Sequence, residues 1–279
     1  TYLEPDRYDD AIIVVVGLLK GAPENPDLHH LAGVAYYGVK KNEDALKHFS
    51  KVTPESRFYQ DAVVHLAFLY REKGQMQESI DLMEITIERY PDNPEFTYYL
   101  GTFYEDSEEY EKAVELLRRS VELKPEETKY HFRLGVVYDK WGKKEDSIEA
   151  MKTVIKLDPE DANALNYLGY TYADLGKNLD EAEQLIKRAL KYKPDDGYIT
   201  DSLGWVYYKK GNYAKALETL KKAVELVPDD PVILEHLGDA YLKASDRENA
   251  RQAYERSLEK KHKDRPAIEE KLKKLLEQP

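Results

Sequence analysis

Asp201-Ser202-Leu203-Gly204-Trp205-Val206-Tyr207-Tyr208 sets a glycine three residues ahead of a tyrosine, and the pair decides the fold because it recurs along the chain. A small residue returns at Gly33, Ala67, Gly101, Gly135, Gly169, Gly204 and Gly238, at spacings of 34 with a single 35. Three residues after each stands Tyr36, Tyr70, Tyr104, Tyr138, Tyr172, Tyr207 or Tyr241. About a third of a repeat later comes Ala45, Ser79, Ala113, Ser147, Ala182, Ala216 or Ala250, and prolines at 91, 125, 159, 194 and 228 close most units. A fixed period of this length marks a repeat architecture.

Each slot has a physical role in packing one helix on another. A small residue midway along a first helix lets a second helix approach closely, and the small residue early in the second does the same. Tyrosine adds a large flat surface with a hydroxyl that reaches the edge of the packed layer. Proline lacks the N–H that a helix interior needs, so it ends one hairpin and opens the next.

These residues resemble the tetratricopeptide repeat over essentially the whole chain. The resemblance implies an all-α, right-handed α-solenoid of helical hairpins with a C-terminal capping helix. Full repeats are expected at 26–59, 60–93, 94–127, 128–161, 162–196, 197–230 and 231–264, the fifth carrying Asn178 as an extra turn residue. Counting back from Ala45 makes residues 1–25 the second helix of a truncated repeat, against the strand preference of Ile12-Ile13-Val14-Val15-Val16. That helix is apolar at Ile13, Val14 and Val16, so it requires cover, either an upstream first helix or a second copy of the chain. Residues 265–279 read as the cap, with an apolar stripe of Ile268, Leu272, Leu275 and Leu276 and with Lys271, Lys273 and Lys274 turned away from it.

The chain has 279 residues, 42 basic and 54 acidic, for a net charge of −12, which argues against a phosphate-backbone partner. The acidic excess belongs wholly to residues 1–127, where it would steer a basic segment. The longest apolar run, Ala11 to Leu19, is too short to span a bilayer and follows acidic residues, so neither membrane insertion nor a signal peptide is expected. Zero cysteines removes disulfides, thiol nucleophiles and sulfur-ligated zinc, and leans the localisation, otherwise open, towards a bacterial envelope.

No phosphate loop, zincin helix or nucleophile elbow occurs. His30 and His65 fall on neighbouring first helices, where polar groove residues are a better reading than metal ligands. Asp201, Ser202 and His236 cluster as an apparent triad, but adjacent Asp and Ser on an open helical wall provide neither the order of groups nor an oxyanion hole. No catalytic residue, metal ligand or cofactor is therefore assigned.

The repeat resemblance implies recognition of a protein or peptide in the concave groove lined by the first helices. Reading the second, fifth, sixth, ninth and twelfth places of each repeat gives Tyr98, Tyr99, Phe132 and Arg133 in the middle of the chain. Further along it gives Asn163, Asn166, Tyr167, Tyr170, Tyr198, Ser202, Trp205, Tyr208, His236 and Asp239. Aromatic groups with polar tips among Asn, Arg and His suit a wall that buries partner side chains and bonds a backbone. The stretch 201–208, followed by Glu235-His236-Leu237-Gly238-Asp239-Ala240-Tyr241, is similar to the final repeats of bacterial envelope lipoproteins that act as adaptors for a periplasmic processing protease. The alternatives are the docking region of a larger enzyme of the peptide-O-glycosyltransferase type, and a homodimer through the N-terminal helix.

Overall fold

A computed structural model describes residues 7–260 and 262–277. The outermost residues of both expected terminal segments, 1–6 and 278–279, lie outside the described residues, as does 261. All regular structure among the described residues is helical.

Two compact units divide the chain, 1–141 and 142–279. Unit 1 contains α1 (Tyr8–Leu19), α2 (Pro26–Gly38), α3 (Asn42–Phe49), α4 (Tyr59–Glu72), α5 (Met76–Arg89), α6 (Pro94–Asp106), α7 (Tyr110–Leu123) and α8 (Thr128–Lys140). Unit 2 contains α9 (Lys144–Leu157), α10 (Ala162–Asp174), α11 (Leu179–Tyr192), α12 (Gly197–Lys209), α13 (Tyr213–Leu226), α14 (Pro231–Lys243), α15 (Arg247–Glu259) and α16 (Arg265–Glu277). Within each unit every helix packs on the next, and the tightest pairs are hairpins such as α6 with α7 and α12 with α13.

The small residue at place 8 meets one large side chain at place 24 of the same hairpin. A Cβ built on Gly204 would lie 2.6 Å from the Leu220 side chain, and one on Gly238 would lie 2.5 Å from the Tyr254 ring. Leu220 and Tyr254 are completely buried, so these glycines set the interhelical distance. Place 20 is buried too: Ala45, Ala113, Ala182, Ala216 and Ala250 are fully covered, and Ser79 fits by donating its hydroxyl to the Ala67 carbonyl at 2.7 Å.

The recurrent tyrosine at place 11 reaches back to place 25 of the preceding hairpin. Tyr104 donates to Glu84 at 2.6 Å, the Tyr138 hydroxyl accepts from Arg118 at 2.8 Å, and lysines 187 and 221 lie over the rings of Tyr207 and Tyr241. Most of the repeat's signature tyrosines therefore join consecutive hairpins.

Five of the seven first helices begin at side-chain caps: Asn25, Asn93, Asp161, Asp196 and Asp230 each accept from a backbone N–H of the first turn, whereas α4 and α8 have none. Each hairpin turn needs a left-handed residue at place 15. Gly74, Gly142, Gly176 and Gly211 supply it without a Cβ, whereas Lys40, Glu108 and Ser245 adopt it at φ of 60°, 60° and 63°. Asn178 takes the same conformation at the start of α11.

The β-branched run of α1 is helical because Val15 and Leu19 are buried on Leu28, Leu31 and Ala32, and this packing outweighs local preference. Ile13 is 73% exposed and Val14 is exposed as well, so the described residues leave that face open, while Val16 is half-buried. At the other end Ile268 and Leu275 are buried as expected, but two expectations fail: Leu276 is exposed, and Lys271 lies on the packed face. The reason is helical spacing, since 268, 271, 272 and 275 share one side of α16. Lys271 bonds Glu235 at 2.6 Å and Asp239 at 2.7 Å.

Candidate protein-binding walls

In unit 1 the first helices α2, α4, α6 and α8 carry aromatic rings held by ionic groups. Tyr98 meets Tyr99 edge-on at 5.5 Å and Tyr130 at 5.3 Å, and Tyr99 meets Phe68 edge-on. Glu95 accepts from Lys129 at 2.7 Å and from Tyr130 at 2.6 Å. Burial works against its charge, and those bonds outweigh burial, so its carboxyl titrates below the usual range. Arg133 approaches Glu105 at 3.3 Å, and Lys140 bonds the same carboxylate at 2.7 Å. Glu105 is almost completely buried, so the two cations are its compensation. Phe132 is half-buried. Arg133, expected as a partner contact, is half-buried and tethered to Glu105 within the wall.

His30 and His65 do come together, through a residue that the sequence reading missed. Asp61 accepts from His30 Nε2 at 2.6 Å and has His65 Nε2 at 3.6 Å, and the His30 bond leads the causes that depress its carboxyl. Asp61 and His65 stand one turn apart on α4, a spacing that could have flagged the carboxylate. No group of three or more His, Asp or Glu among the described residues has the arrangement of a metal site.

In unit 2 the wall is built by α10, α12 and α14. Asn163 is exposed and accepts from Lys193 at 2.8 Å, and Tyr198 is also exposed. Tyr167 and Tyr170 are half-buried, and Tyr170 lies 6.5 Å from the His236 ring. Trp205 stacks on Tyr208 at 4.8 Å and on His236 at 4.2 Å, both nearly parallel. Two buried atoms of this wall, Asn166 Oδ1 and Trp205 Nε1, have no hydrogen-bond partner among the described residues.

The remaining expected residues of unit 2 are buried and engaged inside it. Ser202 donates to the Tyr198 carbonyl at 3.0 Å. His236 Nδ1 donates to both Asp201 oxygens at 2.9 Å, and Asp239 accepts from Tyr254 at 2.6 Å and from Lys271. The Ser202 hydroxyl is thus hydrogen-bonded to a main-chain carbonyl, away from the Asp201–His236 pair. The signal for this pair was available, since Asp201 and His236 stand at neighbouring places of adjacent first helices.

Stacked two-helix hairpins with polar-aromatic first-helix walls define a repeat scaffold. Models described as "Tetratricopeptide repeat" match residues 66–128, 132–197 and 233–259, and one described as "TPR repeat" matches 204–245. The chain belongs to the tetratricopeptide repeat family. No curated protein matches the sequence significantly. Among solved structures, a tetratricopeptide repeat protein from Parabacteroides merdae is 15% identical with a TM-score of 0.72, over 90% of this chain and 98% of that one. Yeast Tom70 is 14% identical with a TM-score of 0.63, over 98% of this chain and 59% of its own. The Pseudomonas aeruginosa protein pilF is 23% identical with a TM-score of 0.56, over 66% and 84%. At these identities the likeness shows the fold. Repeats of this family generally serve as non-catalytic modules that bind protein or peptide, and the chain is a protein-interaction scaffold in that sense. No helix among the described residues is long and apolar enough to cross a membrane.

Proposed function

We propose that this scaffold is non-enzymatic and holds a peptide or helical segment of a partner against the first-helix wall of unit 2, as an adaptor between proteins. The observation that carries the reading is Asn166 and Trp205, two polar side chains on adjacent first helices whose buried atoms lack a partner. An unsatisfied buried polar atom costs about 1–3 kcal/mol, which a ligand's donor and acceptor would recover. Exposed Tyr198 and Asn163 border them and supply an apolar surface and an amide. Capture of partner proteins from the native lysate tests it. Tyr170→Ala with Trp205→Ala, and separately Asn163→Ala with Tyr198→Ala, abolish specific capture with unchanged helical circular dichroism; full capture by both variants contradicts the reading.

A second reading concerns assembly. Ile13 and Val14 leave an apolar strip open on α1, which would pair with the same strip of another copy. Light scattering across a concentration series tests this, since a monomer at every concentration rules it out.

A further inference from the structure

The opposite side of unit 1, built by second helices, carries a feature that the repeat does not require. Place 26 of the repeat holds Lys51, just past α3, and Arg119, Thr153, Arg188, Lys222 and Arg256 within second helices. Arg188 and Arg256 show why a cation suits it: each donates to the carbonyl of the preceding repeat's closing proline, Pro159 at 3.0 Å and Pro228 at 3.1 Å. The second repeat instead has Ile85, 64% exposed. The repeat ahead of it has Arg57, not proline, at the closing place. An isoleucine here contributes little to the hairpin and leaves a β-branched apolar side chain in water.

Its surroundings are mainly acidic, the nearby cation Arg89 lying over the Tyr59 ring. Asp81, Glu84, Ile85 and Glu88 share one face of α5 by their three- and four-residue spacing, and all four are exposed. Glu84 and Glu88 also line a groove of about 500 Å³ with a floor of Ile87, Leu100, Tyr104 and Leu116, closed on the α7 side by Glu115. The one cation of the lining, Lys112, is paired with Glu109 at 2.6 Å. Burial, with Glu84, Glu109 and Asp81, pushes the Tyr104 phenol well above its ordinary value, in keeping with a negative field. The corresponding groove between α11 and α13 in unit 2 is lined instead by Lys215, Lys222 and Glu218.

We propose that this second-helix face of unit 1 docks a basic amphipathic segment of a partner protein. One aliphatic side chain of the segment covers Ile85 and another enters the neighbouring groove, while its lysines or arginines meet Glu84, Glu88 and Glu115. Charge complementarity selects that occupant: an apolar anchor flanked by Asp81, Glu84 and Glu88 favours a partner that is apolar at the centre and positive at the rim. The surface is separate from the first-helix wall and stands independently of it.

The probe is a short labelled helix of leucine and lysine, with a leucine–glutamate counterpart, followed by fluorescence anisotropy on the intact chain. Ile85→Arg, which installs the residue found at this place in three other repeats, and Glu84→Lys with Glu88→Lys each weaken lysine-peptide binding by about tenfold or more. Asp9→Lys with Glu24→Lys makes the same charge change at exposed positions of α1 and the α1–α2 turn and leaves binding as in the parent. Thermal melts by circular dichroism establish that the variants are folded. Unchanged binding in Ile85→Arg, or an equal loss in the Asp9/Glu24 pair, overturns the proposal in favour of diffuse attraction to an acidic chain.

Discussion

His236 lies flat on Trp205, ring centroids 4.2 Å apart and 15° from parallel, while its Nδ1–H reaches both carboxylate oxygens of Asp201 at 2.9 Å. The pair links α12 to α14 and fixes the orientation of the indole that the binding wall presents. Burial disfavours the imidazolium, but the Asp201 carboxylate, with Glu235 and Asp239 beyond it, outweighs burial and holds the His236 pKa above its ordinary 6.5.

A pH dependence of stability follows with a definite sign. A histidine whose folded pKa is raised contributes stability fully below its unfolded value, and the contribution fades as pH rises through the folded value. Urea denaturation of the parent and His236→Gln at a series of pH values measures it. The parent's advantage is largest below 6.5 and shrinks above it; an advantage that grows with pH would contradict the pairing.

The close approach at Gly204 predicts a packing penalty. Its missing side chain faces Leu220 at 2.6 Å, and Leu220 is fully buried, so Gly204→Val forces the hairpin apart. Overpacking of this kind destabilises by about 1–3 kcal/mol, read as a lower urea midpoint.

The turn residues predict the reverse effect of glycine. Glu108 and Lys40 occupy the left-handed conformation that glycine fills in four other hairpins. Glu108→Gly and Lys40→Gly each raise stability by about 0.5–1 kcal/mol, because relief of the Cβ clash exceeds the cost of the conformational entropy that glycine adds to the unfolded chain. A lowered melting temperature in both would refute this.

Lys271 ties the terminal helix to α14 by bonding Glu235 and Asp239. Lys271→Met leaves two largely buried carboxylates without that cation, and a loss of about 2–3 kcal/mol is expected. Limited proteolysis provides the local readout: cleavage within 265–277 rises while the rest of unit 2 stays protected.

The repeat was legible because its slots have invariant physical duties. Gly204 and Gly238 must be small, the tyrosines at 104 and 138 must bridge hairpins, and residues such as Ala182 and Ala216 must vanish into the contact. The walls were legible only as a set of positions. Whether a wall residue faces solvent or a neighbour depends on partners from adjacent helices, and periodicity within one helix does not report them. His236 and Asp239 were read as outward, yet Asp201 and Lys271 hold them inward. Glu105 escaped notice because a glutamate in an acidic stretch looks solvated until Arg133 and Lys140 are seen to converge on it. Ile85 stands where five other repeats carry a cation, and its exposure separates it from the core.

The central claim, that a partner rests on the first-helix wall of unit 2, is tested most directly by site-specific photo-crosslinking. A photoreactive phenylalanine analogue replaces Tyr198 on α12 or Lys222 on the second helix α13, and the chain is irradiated with its captured partner. The account predicts an efficient crosslink from position 198 and none from 222. A crosslink from 222 with none from 198 would contradict it.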